Sequence, residues 1–112
     1  MEDEDEREVA RFRLTRAVAQ GRIRSAMKGS SVNLVWGDHA SSRMGERGIF
    51  DVDVLRVLRG GYVEDEPTFT NGGEWQCKMT KPIKGGRDVG AVVIFLRDGR
   101  LFLKTVEWED LR

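Results

Sequence analysis

His39, Arg43 and Arg47 stand four residues apart in the stretch His39-Ala40-Ser41-Ser42-Arg43-Met44-Gly45-Glu46-Arg47. On an α-helix, residues four apart lie one above the next, so all three can project from one face. Ala40, Met44 and Gly48 follow at the same spacing and would form an adjacent, inward stripe. An imidazole beside two guanidiniums matches a phosphodiester. Arginine donates bidentately to phosphate oxygens and keeps its charge near neutral pH. Histidine is the side chain whose ordinary pKa suits proton transfer there. The three make a minimal set for splitting RNA by its own 2′-hydroxyl, with His39 as base or acid and Arg43 and Arg47 neutralising the developing charge. The alternative is structural: a histidine near a helix start can satisfy a backbone group, Arg43 can pair with Glu46, and Arg47 with Asp51.

Other chemistries find less support. With one histidine and one cysteine, Cys77, no ligand cluster of familiar metal spacing exists, and neither a metal nor a cofactor is expected. The Gly-x-Ser-x-Gly turn of a serine nucleophile is absent, as is a phosphate loop of the Gly-x-x-x-x-Gly-Lys type. Cys77 falls on an apolar strand face and reads as core. A lone cysteine cannot form an internal disulfide, which fits a reducing compartment. No run of about 18 apolar residues is present to cross a membrane, and the acidic N-terminus is the opposite of a secretory leader. A cytoplasmic protein is expected.

The net charge of zero conceals a separation. Residues 2–8 carry six acids and one base, which leaves eighteen bases against thirteen acids on the rest of the chain. Between residues 9 and 28 stand Arg11, Arg13, Arg16, Arg22, Arg24 and Lys28, with no acid among them. Such asymmetry suits an anionic partner, RNA or another phosphate-bearing ligand, with the acidic tail dispersed or masking. It also suits a solvated helix whose acidic start complements its own dipole. A non-catalytic module that binds nucleic acid or protein through this basic helix is the competing function.

These side chains need elements to position them. The 112 residues are near the commonest size for one domain. Residues 1–5 read as a disordered acidic tail, residues 6–30 as a basic helix running from about Glu6 to Lys28, and residues 31–112 as one α+β domain. Gly21 is a candidate break in that helix. Val32–Trp36 reads as a strand, Asp38 as the N-cap of a helix to Arg47, and Gly48 as its stop. Asp51 is expected to cap a second helix, with Phe50 and Leu55 as a hydrophobic staple and Val54, Leu55 and Leu58 as its core face. The period then becomes two. Tyr62–Glu66 is a strand candidate, Trp75, Cys77 and Met79 alternate with Glu74, Gln76 and Lys78, and the apolar run Ala91–Leu96 reads as a central strand. Lys84-Gly85-Gly86-Arg87 is a loop, and Asp98-Gly99 is a two-residue hairpin signal leading into Leu101–Glu107. Strands joined by hairpins after helices predict an α+β fold with a mainly antiparallel sheet of four to five strands. Trp36, Trp75 and Trp108 could stack bases, but strand aromatics are more often core.

The stretch His39-Ala40-Ser41-Ser42-Arg43-Met44-Gly45-Glu46-Arg47-Gly48-Ile49 resembles a small bacterial family with a His-Ala-x-x-Arg-Met-x-x-Arg-Gly-Ile signature. The likeness continues through Asp53-Val54-Leu55, Gly61, Glu64, Trp75-x-x-Lys78, Val92-Val93 and Thr105-Val106, covering roughly residues 32–107. That family is similar in layout to RelE-type toxin ribonucleases, with helices packed on a twisted antiparallel sheet. The resemblance implies metal-independent RNA cleavage and often an antitoxin-type protein partner. It carries His39, Arg43 and Arg47 as catalytic candidates. Lys78, Lys104 and Arg87 are added as RNA-binding candidates that could complete an anionic groove. The acidic tail and basic helix extend beyond the matching region.

Overall fold

The computed structural model describes residues 13–111. The expected acidic tail and residues 6–12 of the expected basic helix lie outside them. Within the described part, that helix is not continuous from Glu6. Residues 13–15 are non-helical, and α1 (Arg16–Ala26) is capped by Thr15, which has an extended backbone and whose side-chain oxygen accepts from Val18 N–H. Gly21 does not break α1, because Ala19, Ile23 and Met27 bury one side of it completely. Those three residues share a single core with the rest of the described chain.

β1 (Leu34–Trp36) leads into α2 (Asp38–Arg47), and α3 (Asp51–Gly60) follows after a short turn. The two aspartates expected as N-caps stand one residue inside their helices. Gly37 caps α2 because that position lies against the sheet: its N–H donates to Leu103 O at 3.1 Å, and a β-carbon there would sit 2.5 Å from that oxygen and 2.7 Å from the Phe102 ring. Phe50 caps α3, and Asp53 Oδ2 reaches back to accept its N–H at 3.0 Å. Phe50, expected one position before the cap as half of a staple with Leu55, is the cap itself and is exposed. Gly48, at φ +64, supplies the left-handed stop between the helices, its N–H on Met44 O.

Six strands form one sheet, one more than the expected upper count. β2 (Tyr62–Val63) and β3 (Thr68–Phe69) pair with successive stretches of one side of β4 (Trp75–Lys84). The expected strand Tyr62–Glu66 is thus only two residues long, and the chain resumes pairing beyond the buried Pro67. β5 (Arg87–Phe95) lies centrally between β4 and β6 (Leu101–Trp108), giving the order β1-β6-β5-β4-β2 with β3 also on β4. All pairs are antiparallel except β1 with β6. A short 3-10 turn, Glu109–Leu111, follows β6. The β4–β5 hairpin turns on Gly85 and Gly86, both at positive φ, as a two-residue primed turn requires. The β5–β6 loop is longer than the expected two residues. Leu96 O accepts from Gly99 N–H, Leu96 N–H donates to Arg100 O, and Gly99 at φ +90 makes the bulge.

The core lies between the helices and one face of the sheet. Ala40, Ile49, Val54, Val57 and Leu58 meet Met79, Ala91, Val93, Leu103 and Val106, all of them buried. Each of the larger side chains contributes on the order of 1.5–3 kcal/mol by leaving water. The alternate residues Gln76, Lys78, Val92, Ile94 and Phe102 face the other way and remain half-buried. An approach as close as that at Gly37 occurs at Gly61, where α3 meets β4: a β-carbon would lie 2.5 Å from Val57 O and 2.6 Å from Thr80 O. Gly21, by contrast, has nothing within 4 Å. Gly61→Ala is therefore expected to destabilise by about 1–3 kcal/mol, while Gly21→Ala stabilises by about 0.5–1 kcal/mol. Urea denaturation of both variants checks the opposite signs.

Candidate functional site

The site is built where a strand gives way to a helix. β1 pairs with Leu101–Leu103 only, so from Lys104 onward the outer edge of β6 has no strand beside it. α2 packs along that stretch instead. Arg47 Nη1 donates to Val106 O at 2.7 Å, and Trp108 Nε1 donates back to Arg47 O at 2.7 Å. An edge carbonyl and the last carbonyls of a helix are thereby satisfied together. A hydrogen bond from a charged donor contributes about 1.5–3 kcal/mol, so Arg47 is held in the fold.

The expectation that all three cationic groups share one face holds for two of them. Every four-residue step of an α-helix overshoots a full turn by about 40°. Over eight residues this drift carries Arg47 round to the sheet. His39 and Arg43 stay on the open side, with His39 exposed in the first turn of α2. Arg43 Nε donates to His39 Nε2 at 3.4 Å, a long contact. Arg43 Nη1 reaches Glu46 Oε2 at 2.8 Å. The expected Arg43–Glu46 pair thus forms, whereas Arg47 bonds the β6 backbone in place of Asp51. A solvent-facing helix pair of this kind is worth only about 0.3–0.5 kcal/mol, so a phosphate can draw Arg43 away from Glu46.

Lys78, Lys104 and Arg87 make no hydrogen bond or ion pair with His39 or Arg43. Lys78 and Lys104 lie on the sheet face opposite the core. Lys78 Nζ is 2.7 Å from Glu109 Oε1 and 3.3 Å from Glu107 Oε1. Burial works against the charge on Lys78, but the hydrogen bonds and charges of Glu109 and then Glu107 outweigh it and raise its pKa. Glu109 is itself buried, its carboxyl carbon only 2.9 Å from where a β-carbon on Gly90 would lie. Lys104 is exposed and donates to Gln76 Oε1 at 3.2 Å. Arg87 sits at the β4–β5 hairpin, 3.0 Å from Asp110 Oδ2 and stacked 4.0 Å above the Trp108 ring. Its hydrogen bond holds the Asp110 carboxyl below the usual carboxylate range. Two of the three added candidates are thus already matched by carboxylates.

Sequence reasoning passed over Arg56, Arg59 and Lys81. Arg24 Nη2 donates to Gly61 O at 2.6 Å, and Arg59 Nε donates to Met27 O at 2.9 Å. Each arginine covers carbonyls at the end of the other's helix, the end that attracts cations. The Arg56-x-x-Arg59 spacing before Gly60-Gly61 was the available signal, but the partner helix supplying Arg24 and Lys28 was not visible in it. Among the described residues no group of three His, Cys, Asp or Glu is placed to hold a metal ion, and no helix is long and apolar enough to cross a membrane. Cys77 is buried, as its strand pattern implies, and burial pushes its thiol up to about 12.

Residues 36–108 match the model of a family described as a domain of unknown function (DUF4258), and the chain belongs to that family. No curated protein and no solved structure matches the chain. The matched region runs from the end of β1 to the end of β6, so it contains α2 and both partners of the Arg47 contact and leaves α1 outside.

Two outcomes follow from this geometry. Arg47→Ala should lower unfolding stability by about 1–3 kcal/mol, whereas Arg43→Ala should stay within about 0.5 kcal/mol of the parent; chemical denaturation separates them. Cys77 should resist a thiol-specific reagent at pH 8 in the native protein and react promptly once unfolded, since only the thiolate is nucleophilic. Rapid native labelling would contradict the buried, protonated thiol.

Proposed function

We propose that this is an RNA-directed, toxin-like protein that cleaves RNA at a phosphodiester held by His39 and Arg43. One observation carries the reading: an exposed imidazole and a guanidinium lie 3.4 Å apart on one helix face, and only a surface carboxylate competes for the arginine. The likeness of the His39–Ile49 stretch to the signature of a RelE-like family supports it. That likeness also favours a protein partner of antitoxin type, and the single, buried cysteine fits a reducing, cytoplasmic setting.

In this scheme His39 Nε2 takes the proton of the ribose 2′-hydroxyl. The 2′-oxygen then attacks the adjacent phosphorus as the bond to the 5′-oxygen breaks. Arg43 turns from Glu46 to the phosphate and balances the charge that builds on its non-bridging oxygens. The proton held by His39 passes to the departing 5′-oxygen, leaving a cyclic phosphate and the neutral ring. The nucleophile belongs to the substrate, so the scheme needs no metal. Arg47 takes a positioning role, fixing the helix that presents the pair. A second reading, binding without cleavage through the basic helix, draws support from the exposed Arg22 and Lys28 of that segment.

Incubation of the purified protein with total RNA in EDTA tests the scheme. The parent should cleave; His39→Ala should be slower by about 10²–10⁴-fold and Arg43→Ala by about 10²–10³-fold, both with parental circular dichroism. Retention of the parental rate by His39→Ala, or no cleavage by the folded parent, would sink it.

A further inference from the structure

We infer that the C-terminal ends of α1 and α3, together with β4, form a groove that binds the backbone of single-stranded RNA, with Tyr62 as a stacking platform; the choice of RNA rests on the reading above. Two concavities adjoin there. One is lined by Arg24, Lys28 and Arg59 with small residues, and the other by Arg56, Arg59 and Lys81 with Val52 and Leu55. Arg59 lines both, so the two lie side by side. Five cationic side chains line them, and no acidic one does.

Four cations elsewhere are neutralised locally. Arg43, Lys78, Arg87 and Arg100 each face a carboxylate within 3.3 Å. None of the five groove cations has a carboxylate partner among the described residues. The groove therefore gathers five cations with no local neutralisation, which suits an anionic ligand. The groove is also partly organised in advance. Arg24 and Arg59 are each oriented by one hydrogen bond to a main-chain carbonyl. Arg24 Nε is buried with no partner among the described residues.

Tyr62 selects the kind of polyanion. It is 60% exposed on an edge strand, and the Arg24 guanidinium lies 5.2 Å from its ring centroid. A cationic groove beside an open aromatic ring is how single strands are held without sequence readout, the phosphates by charge and a base by stacking.

The test uses the full chain carrying His39→Ala, so that cleavage does not consume the probe. Binding of a fluorescent single-stranded RNA oligonucleotide is followed by anisotropy across a salt series in EDTA. Lys28→Glu, Arg56→Glu and Lys81→Glu are combined, since none of these side chains makes a hydrogen bond in the described structure, and circular dichroism checks the fold. The triple variant should bind at least tenfold more weakly, and the logarithmic salt dependence should flatten by about 2, since each phosphate contact on a single strand contributes about 0.7. Tyr62→Ala should weaken binding with the salt slope kept. Unchanged affinity and slope in the folded triple variant would overturn the groove, as would capture of phosphatidylserine vesicles with no RNA binding. A chain that binds RNA through these residues yet never cleaves would overturn the His39 scheme and leave the groove standing.

Discussion

The outer edge of β6 is the constraint on which the arrangement turns. A strand edge presents backbone donors and acceptors that need partners, and left bare it invites other chains to pair with it. β1 covers the first three residues of β6 and then stops at Gly37, where only hydrogen in place of a side chain clears Leu103 O and the Phe102 ring. The remaining edge is closed by a helix, through Arg47 on Val106 O and Trp108 on Arg47 O. Because α2 is fixed at its C-terminal end, its first turn has a defined place, and so does His39. The same guanidinium that closes the sheet edge is thus turned away from the side chains of His39 and Arg43.

Charge is distributed by the same economy of partners. The outer sheet face carries Lys78 between Glu107 and Glu109, and the hairpin end carries Arg87 against Asp110. These pairs neutralise the cations that strand periodicity made attractive as RNA contacts. At the other side of the fold, Arg24 and Arg59 satisfy helix-end carbonyls instead of carboxylates. A carbonyl partner orients an arginine without cancelling its charge. The five cations where two helices end together thus keep their charge, and that cluster cannot be read from any count of basic residues.

Fold class was legible because it rests on local patterns: the alternation around Cys77 and Met79, the apolar run of β5, and Gly85-Gly86 at a hairpin all have short-range causes. The boundaries of α2 and α3 were legible to within a residue. Asp38 and Asp51 were mistaken for caps because the true cap positions were set by tertiary contact at Gly37 and by Asp53 reaching back to Phe50. The continuous basic helix failed at Thr15, a residue that competes for the backbone as a cap better than it fills a helix interior. At the site, spacing brought His39 and Arg43 together correctly and misdirected Arg47, since the 40° drift per four residues is invisible until the packing side of the helix is known. The Arg24–Arg59 exchange lay beyond reach, as it joins residues far apart in sequence with no signature in either helix alone.

β4, β5 and β6 are joined by tight hairpins and can pair with little chain to close. The parallel pairing of Leu34 with Leu101 instead closes most of the described chain in one loop. The entropy of that closure must be met before the contact rewards it. The meander therefore offers the surface onto which β1 and α2 dock, and the docking groups Val106 and Trp108 belong to its last strand. During synthesis, at about 5–20 residues per second, β1 and the helix bearing His39 leave the ribosome several seconds before the strand that holds them. For that interval the nascent chain carries its candidate chemistry on a segment with nowhere to settle, and the helix acquires its place only when β6 arrives.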